Sequence, residues 1–317
     1  MRTVYLPGIE SGEIQYKRNG NVLKFKDSTI RVKRQAFNAF KEFERTNPMI
    51  RFDNIDQLFY DNFVMWSQSQ GHSTNYTGRL IKEIKAISRH AYDAGVHNKE
   101  ISGKHFVTLK EEKETVYLSE SELVRIQNLD LNEPISHYRD LFLVGCHTAL
   151  RFSDYSRLTP DNIKERGGRK YIEIIPEKTS DKVLVPVRPD LWRIISDPKY
   201  FNHKPLHQQK MNKRIKEICK LAGINESVSI QKIKMGRRLV QQVPKYSLIT
   251  THTARRTGAT LMYKAGIPTL AIMKITGHKT EKNLMKYIRI TKEESAEAIA
   301  THEFFTRSMV PNLKKVK

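Results

Sequence analysis

Apolar side chains in the first third of the sequence return every three or four residues, the interval that lines one face of a helix. Phe37, Phe40 and Phe43 make one such stripe behind a candidate cap at Ser28. Phe59, Phe63 and Trp66 make a second, ended by Gly71, and Leu80, Ile84, Ile87 and Ala91 a third, between Ser73 and Gly95. The pattern predicts a small helical bundle over residues 25–102, preceded by a short polar segment at 1–24.

The period is lost over residues 103–116, where a charge run marks an interdomain linker. Beyond it, Ser119-Glu-Ser-Glu122 is a candidate capping box, and a helix is expected from about His137 to Leu150. Gly167-Gly168 punctuates the chain. Two β-rich runs follow, Lys170–Pro176 and Lys182–Val187, joined by the turn Lys178-Thr-Ser-Asp181. Met211, Ile215, Ile218 and Ala222 return to a helical interval that ends near Gly223. Residues 228–250 suggest a hairpin, and short helices are expected to begin near His252, Pro268, Glu281 and Thr291. This second region spans 117–300, with a basic tail at 301–317.

Composition narrows the functional classes. The 317 residues are enough for two domains and carry a net charge of +22. That charge is concentrated in residues 201–317, with 24 basic and 7 acidic groups, whereas residues 111–200 have 14 and 16. A polyanion is attracted to such a surface through counterion release. Composition alone equally admits a ribosomal-type RNA binder or a protein kept soluble by lysine. No apolar run is long enough to cross a bilayer and none resembles a signal core, so a cytoplasmic, nucleoid-associated location is expected. Cys146 and Cys219 read as buried, reduced and inert, and no CxxC pair suggests zinc.

Several familiar chemistries are missing. The nearest approach to a phosphate-binding loop, Gly103-Lys104, has Asn98 in place of the first glycine and His105 after the lysine. Neither HExxH nor GxSxG occurs, and the basic C-terminal region has few carboxylates for two-metal chemistry. No metal or other cofactor is expected.

Other residues have two readings each. Arg79, Lys82, Lys85 and Arg89 form either a solvated helix face or a helix laid along DNA phosphates. Lys234, Arg237 and Arg238, near the tip of the 228–250 hairpin, suit a phosphate contact or a merely exposed loop. His252 and Arg255 stand three residues apart on one helix face and, alone, are an ordinary surface pair. Gly277-His278 can be a helix-ending glycine and a loop histidine. Tyr287 falls on the Leu284/Ile288 stripe and fits a core, and Arg151 can snorkel from an apolar helix.

Taken in order, these separate readings converge. Thr148-Ala-Leu-Arg151-Phe-Ser-Asp154, Lys178 in a turn, His252-Thr-Ala-Arg255, Gly277-His278 and Tyr287 nine residues later resemble the tyrosine recombinases, the phage integrase family. The stretches LRFSDYSRLTPDNI and THTARRTGAT look most like integrases of phages and conjugative transposons. The resemblance implies a mainly α fold with a small β-sheet: a helical SAM-like core-DNA-binding domain followed by a mixed α/β catalytic domain. Ala149 stands where the family often has glycine, a change expected to cost little. Fewer than 30 residues precede the bundle, so a further arm-binding domain is not expected.

The implied activity is site-specific DNA recombination through a 3′-phosphotyrosyl intermediate, without metal or ATP. Tyr287 is the implied nucleophile, and Arg151 and Arg255 hold the non-bridging phosphate oxygens. His252 assists deprotonation of a phenol whose reference pKa is about 10. His278 positions the phosphate, Lys178 is the general acid for the 5′-oxygen, and Asp154 has a structural part. The implied partners are double-stranded recombination sites, bound as a homo-tetramer, with accessory DNA-bending or directionality proteins as further candidates and no membrane. The segment after Tyr287, opened by a Thr291-Lys-Glu-Glu294 capping box, either docks on a neighbouring subunit or packs within its own. A topoisomerase-like or resolvase activity and a catalytically dead DNA-binding protein are the competing readings.

Overall fold

The computed structural model describes residues 4–18, 20–48, 50–100, 106–112, 114–178, 181–202, 206–234, 237–300 and 302–307. It divides into two compact units: Met1–Lys113 with Ile230–Gln241, and Glu114–Ser229 with Gln242–Lys317.

The first unit opens with helix α1 (Tyr5–Ser11) and a short hairpin of β1 (Tyr16–Arg18) and β2 (Asn21–Leu23). Three longer helices follow: α2 (Asp27–Thr46), α3 (Gln57–Ser69) and α4 (Thr74–Asp93). Asp56 and Ser73 cap α3 and α4 by accepting from Phe59 N and Tyr76 N. Ser28 is not a cap; it lies inside the first turn of α2, whose cap position is Lys26. The bundle core includes Phe43, Phe59, Phe63, Leu80, Ile81 and Ile84. Each such side chain contributes roughly 1.5–3 kcal/mol when fully buried. In α2 the buried stripe is Ala36, Ala39 and Phe43, with Phe37 and Phe40 at its half-buried margins.

Two segments without a clear apolar period are nonetheless packed against this core. In α1, Tyr5 and Ile9 are buried, and Lys33 Nζ reaches both Tyr5 Oη (3.3 Å) and Glu83 Oε2 (2.7 Å). Residues 106–112 form a strap along α4. Phe106 is buried in the core, and its carbonyl accepts from Lys85 Nζ at 2.9 Å. Tyr60 Oη donates to the Val107 carbonyl (2.9 Å), and the Asn75 side chain exchanges two bonds with the Glu111 backbone (2.9 and 3.0 Å). Gly78 lets the strap approach, because a Cβ there would overlap the Leu109 carbonyl.

The second unit contains α5 (Glu120–Gln127), α6 (Ile135–Thr148), the single turn α7 (Phe152–Tyr155), and a sheet of β3 (Ile163–Arg166), β4 (Arg169–Ile174) and β5 (Val183–Pro186). Then come α8 (Pro189–Ile195) and α9 (Gln208–Leu221), followed by a hairpin of β6 (Ser227–Lys234) and β7 (Arg237–Pro244) whose middle part, Ile230–Gln241, belongs to the first unit. The C-terminal helices are α10 (Thr251–Lys264), α11 (Thr269–Thr276), α12 (Glu281–Met285), α13 (Lys292–Ala300) and α14 (Glu303–Thr306). The sheet is antiparallel in the order β3-β4-β5, with Ile163 opposite Ile172 and Ile172 opposite Val185. Strand β3 had no alternating signal. It pairs because Gly167 and Gly168, both at positive φ, make the tight turn that returns the chain on itself.

Helix α6 is the centre of this unit. Leu141, Phe142, Leu143 and Val144 are all buried, so it is enclosed on every side. Helix α10 packs closely against it through glycine. A Cβ on Gly258 would strike the Cys146 carbonyl, and one on Gly145 would press into the Tyr155 ring. The Ser119 capping box forms as expected, with Glu122 N bonded to Ser119 Oγ (3.2 Å) and Ser119 N to Glu122 Oε2 (2.6 Å).

Candidate active site

The approach of α6 and α10 brings the end of one helix against the start of the other. Helix α6 stops at Ala149, which adopts a left-handed conformation (φ 53°, ψ 17°), the one non-glycine at positive φ among the described residues. Such a conformation costs roughly 1–2 kcal/mol for an L-residue. It turns the Ala149 carbonyl toward α10, where Arg255 Nη1 donates to it at 2.9 Å. Arg255 Nη2 donates to the carbonyl of Thr276, the last residue of α11, and lies 3.3 Å from His278 Nε2. Gly277 ends α11 at φ 65°, and His278 Nδ1 sits 2.8 Å from Thr276 Oγ1. Arg255 is thereby locked between two helix ends and is 1% exposed.

Tyr287 completes the cluster. Its half-buried ring lies across the Arg255 guanidinium, 5.4 Å from Cζ to centroid, with the His252 ring at 5.1 Å and the His278 ring at 4.6 Å. A separate small core of Ala259, Ile272, Leu284 and Ile288 supports the segment that carries Tyr287. Thr260 Oγ1 donates to the Tyr287 carbonyl (3.3 Å) and accepts from Arg289 N (3.2 Å), tying both to α10.

Arg151, two residues after Ala149, occupies the N-cap position of α7 without a side-chain cap bond and is half-buried. Its charge is felt at Arg255, His252 and His278. Lys178, exposed on the connection between β4 and β5, is close enough to act on His252. The turn that carries it is anchored one residue earlier, where Glu177 N donates to buried Asp154 Oδ1 at 2.9 Å.

Crowded positive charge sets the electrostatics. Burial, then Arg151, pulls the Arg255 guanidinium down to about 10, leaving it charged at neutral pH. His252 has an exposed edge, yet packing of the ring removes enough water that its pKa falls to about 4, with Arg256, Arg255, Arg151 and Lys178 adding repulsion. Burial, then Arg255 and Arg151, brings His278 to about 4 as well. The unliganded pocket therefore has two neutral imidazoles beside two guanidiniums, an arrangement suited to an anion.

Residues 116–294 match the model of the phage integrase family, and residues 13–107 match that of the phage integrase SAM-like domain. The chain belongs to the phage integrase family. It is a site-specific tyrosine recombinase acting on DNA, with an N-terminal SAM-like domain and an integrase catalytic domain.

Solved structures of integrases share the fold. A lambda integrase fragment, as a dimer bound to a COC′ core site, superposes with a TM-score of 0.64 at 15% identity, covering 84% of this chain and 89% of that one. A lambda integrase tetramer bound to a Holliday junction gives 0.61 at 16%, covering 84% and 72%. A fragment of the Tn1549 transposon integrase in complex with circular intermediate DNA gives 0.60 at 15%, covering 93% and 98%. Comparison with curated proteins gives no significant match.

Within this integrase the candidate DNA-contact residues fare differently. On α4, Lys82 is exposed and Arg79 stacks on the Tyr76 ring at 4.8 Å. Lys85 instead spends its ammonium on the strap, and Arg89 is held by Asp93 (2.9 Å) and Glu100 (2.5 Å). The side chains of Lys234, Arg237 and Arg238 lie outside the described residues, as does the tail beyond Arg307. The Thr291 capping box forms, and Glu294 binds Tyr117 and Lys264 (2.9 Å) of its own chain. No helix among the described residues is long and apolar enough to cross a membrane.

Motif reading overlooked the residues that hold the motif together. Thr260 and Thr276 are not among the six motif residues, and Arg256 is inconspicuous beside Arg255. Their one visible signal is the abundance of threonine in THTARRTGAT. Threonine is a modest helix former, and its hydroxyls are retained here for hydrogen bonds to neighbouring segments.

Proposed function

We propose that this recombinase cleaves DNA by attack of Tyr287 Oη on a backbone phosphorus, forming a 3′-phosphotyrosyl bond as the bond to the 5′-oxygen breaks. Arg151 and Arg255 offset the charge that builds on the non-bridging oxygens. His252, neutral in the free enzyme, accepts the phenol proton, and His278 orients the phosphate. Lys178 donates a proton to the departing 5′-oxygen. The single observation that carries this reading is the Tyr287 ring enclosed by His252, His278 and the buried Arg255.

The same observation suggests an order of events. Tyr287 covers the guanidinium that the phosphate needs, so its ring shifts aside as DNA enters and then presents Oη to phosphorus. The energy of the broken ester is kept in the phosphotyrosyl bond, so rejoining needs no nucleotide, and the local cations supply the charge a metal would bring. Asp154 positions the Lys178 turn through Glu177 N. Double-stranded recombination sites are the substrate, gripped by phosphate contacts that include Arg79 and Lys82. Four protomers assemble on two sites, a state supported by the tetrameric relative on a Holliday junction. Integration of a mobile element is the biological setting most in keeping with the phage and transposon relatives.

The test is covalent capture. The protein, in chelator and without nucleotide, is mixed with a pool of nicked random-sequence duplexes and run on a denaturing gel. A covalent adduct is expected, absent for Tyr287→Phe, while reversible binding alone would overturn the reading. For Lys178→Ala, a 5′-phosphorothiolate leaving group, which needs no proton, should restore cleavage. Failure to restore it removes Lys178 as the acid. Relaxation of supercoils without exchange between two sites would point to a topoisomerase instead.

A further inference from the structure

Arg256 follows Arg255 on α10 but has no part in the cluster around Ala149 and Thr276. It lies four residues before Thr260, and side chains so spaced share a helix face. Thr260 is the residue whose hydroxyl binds the Tyr287 carbonyl and the Arg289 amide. Arg256 therefore shares a helix face with the hydroxyl that binds Arg289 N, and the charge of the exposed Arg289 side chain is felt there.

Neither guanidinium makes a hydrogen bond or an ion pair among the described residues, and Arg256 Nε is fully buried without a partner. Several other arginines of the same chain are treated differently. Arg89, Arg139, Arg166 and Arg214 each have a carboxylate within 3 Å. Two unpaired cations side by side, one half-buried, are not an arrangement that folding favours. Burial first, and then repulsion from Arg289, lowers the Arg256 pKa. Such a pair calls for an anion from outside the chain.

We propose that Arg256 and Arg289 form a second phosphate clamp, which holds a DNA backbone phosphate adjacent to the one attacked by Tyr287. This rests on Tyr287 as nucleophile. Consecutive side chains of α10 then serve consecutive phosphates of one strand: Arg255 the scissile one, Arg256 with Arg289 its neighbour. Both members of the clamp are positioning residues. Because Arg289 is two residues from Tyr287, occupation of the clamp also fixes the chain that bears the phenol.

The probe is a nicked duplex recovered from covalent capture, made with an uncharged methylphosphonate at each phosphate flanking the cleavage point in turn. Adduct formation in a single turnover and equilibrium binding are measured for wild type, Arg256→Gln and Arg289→Ala. On all-phosphate DNA each substitution is expected to slow adduct formation about tenfold, equivalent to roughly 1.4 kcal/mol. On one methylphosphonate duplex, at an adjacent phosphate, that dependence should vanish, because the clamp's ligand is already neutral.

An equal loss on every duplex would overturn the clamp and assign Arg256 to the phenol or the fold. Arg289→Ala, at an exposed position, keeps the test open should Arg256→Gln unfold. The binding arm separates this proposal from the one beneath it. Should the trapped adduct persist in Tyr287→Phe, the nucleophile assignment falls, yet methylphosphonate-specific loss of Arg256 dependence in binding would still support the clamp. Its absence would sink the clamp alone.

Discussion

Thr260 has no chemistry of its own, yet it fixes where the backbone around Tyr287 runs. Its fully buried hydroxyl satisfies one acceptor and one donor from the chain around Tyr287. Thr260→Val keeps the shape and removes the oxygen, leaving a buried carbonyl and amide without it. A loss of about 1–3 kcal/mol is expected by chemical denaturation. Adduct formation should fall more steeply than DNA binding; equal falls would show that Thr260 only supports the fold. Ala149 is the other residue whose part is conformational. Its left-handed strain is partly offset by a buried methyl, 0% exposed, that packs toward Gly258. Ala149→Val, branched at Cβ, should cost more than about 2 kcal/mol and release the carbonyl that holds Arg255.

Among the elements, the strap along α4 changes what counts as a linker. Residues 106–112 have no apolar period because they are neither helix nor strand; they are held by side-chain bonds from Tyr60, Asn75 and Lys85 and by one aromatic anchor. Such a segment leaves little periodic trace, since its partners lie about twenty to fifty residues earlier. Gly78→Ala should expel it, because the new methyl would overlap the Leu109 backbone. Limited proteolysis is expected to cut the variant within 106–112 at least about tenfold faster than wild type, reflecting local rather than global opening. An unchanged cutting rate would show the strap to be held by Phe106 alone. The pairing of α6 with α10 obeys similar logic. Glycine at 145 and 258 brings the two helices close enough for a carbonyl at the end of one to meet a guanidinium on the other.

At the scale of the molecule, three histidines tie stability to pH. His147, His252 and His278 are each brought to about 4: in every case burial is the main cause, followed by Arg188 at His147, Arg256 at His252 and Arg255 at His278. The unfolded chain, with histidines near 6.5, binds more protons between pH 4 and 6.5. Their contribution is therefore full above about pH 6.5 and is lost progressively as pH falls toward 4. The urea midpoint should drop across that window, and a flat profile would contradict the buried neutral imidazoles. Phosphate in the site counteracts the arginines, so DNA binding near pH 6 should take up protons. Calorimetry in buffers of different ionisation enthalpy checks this, and binding without proton uptake would indicate that the imidazoles stay neutral on DNA.

Much of the architecture was legible in one dimension. Apolar intervals of three and four disclosed the long helices, and six ordered motif residues disclosed the family, because both depend on residue type at short spacing. The N-terminal helix, strand β3 and the strap were not legible, since each owes its form to partners distant in the chain. Separation in sequence also hid the pairing of charges: Lys85 and Arg89 looked the same as Lys82 until the fold supplied them with acceptors. Residue order thus determined which groups this integrase possesses and the period of its helices. Only tertiary packing decided that Arg255 is locked between two helix ends while Arg256 has no acceptor among the described residues, because a cation's role depends on whether an acceptor comes within reach in space.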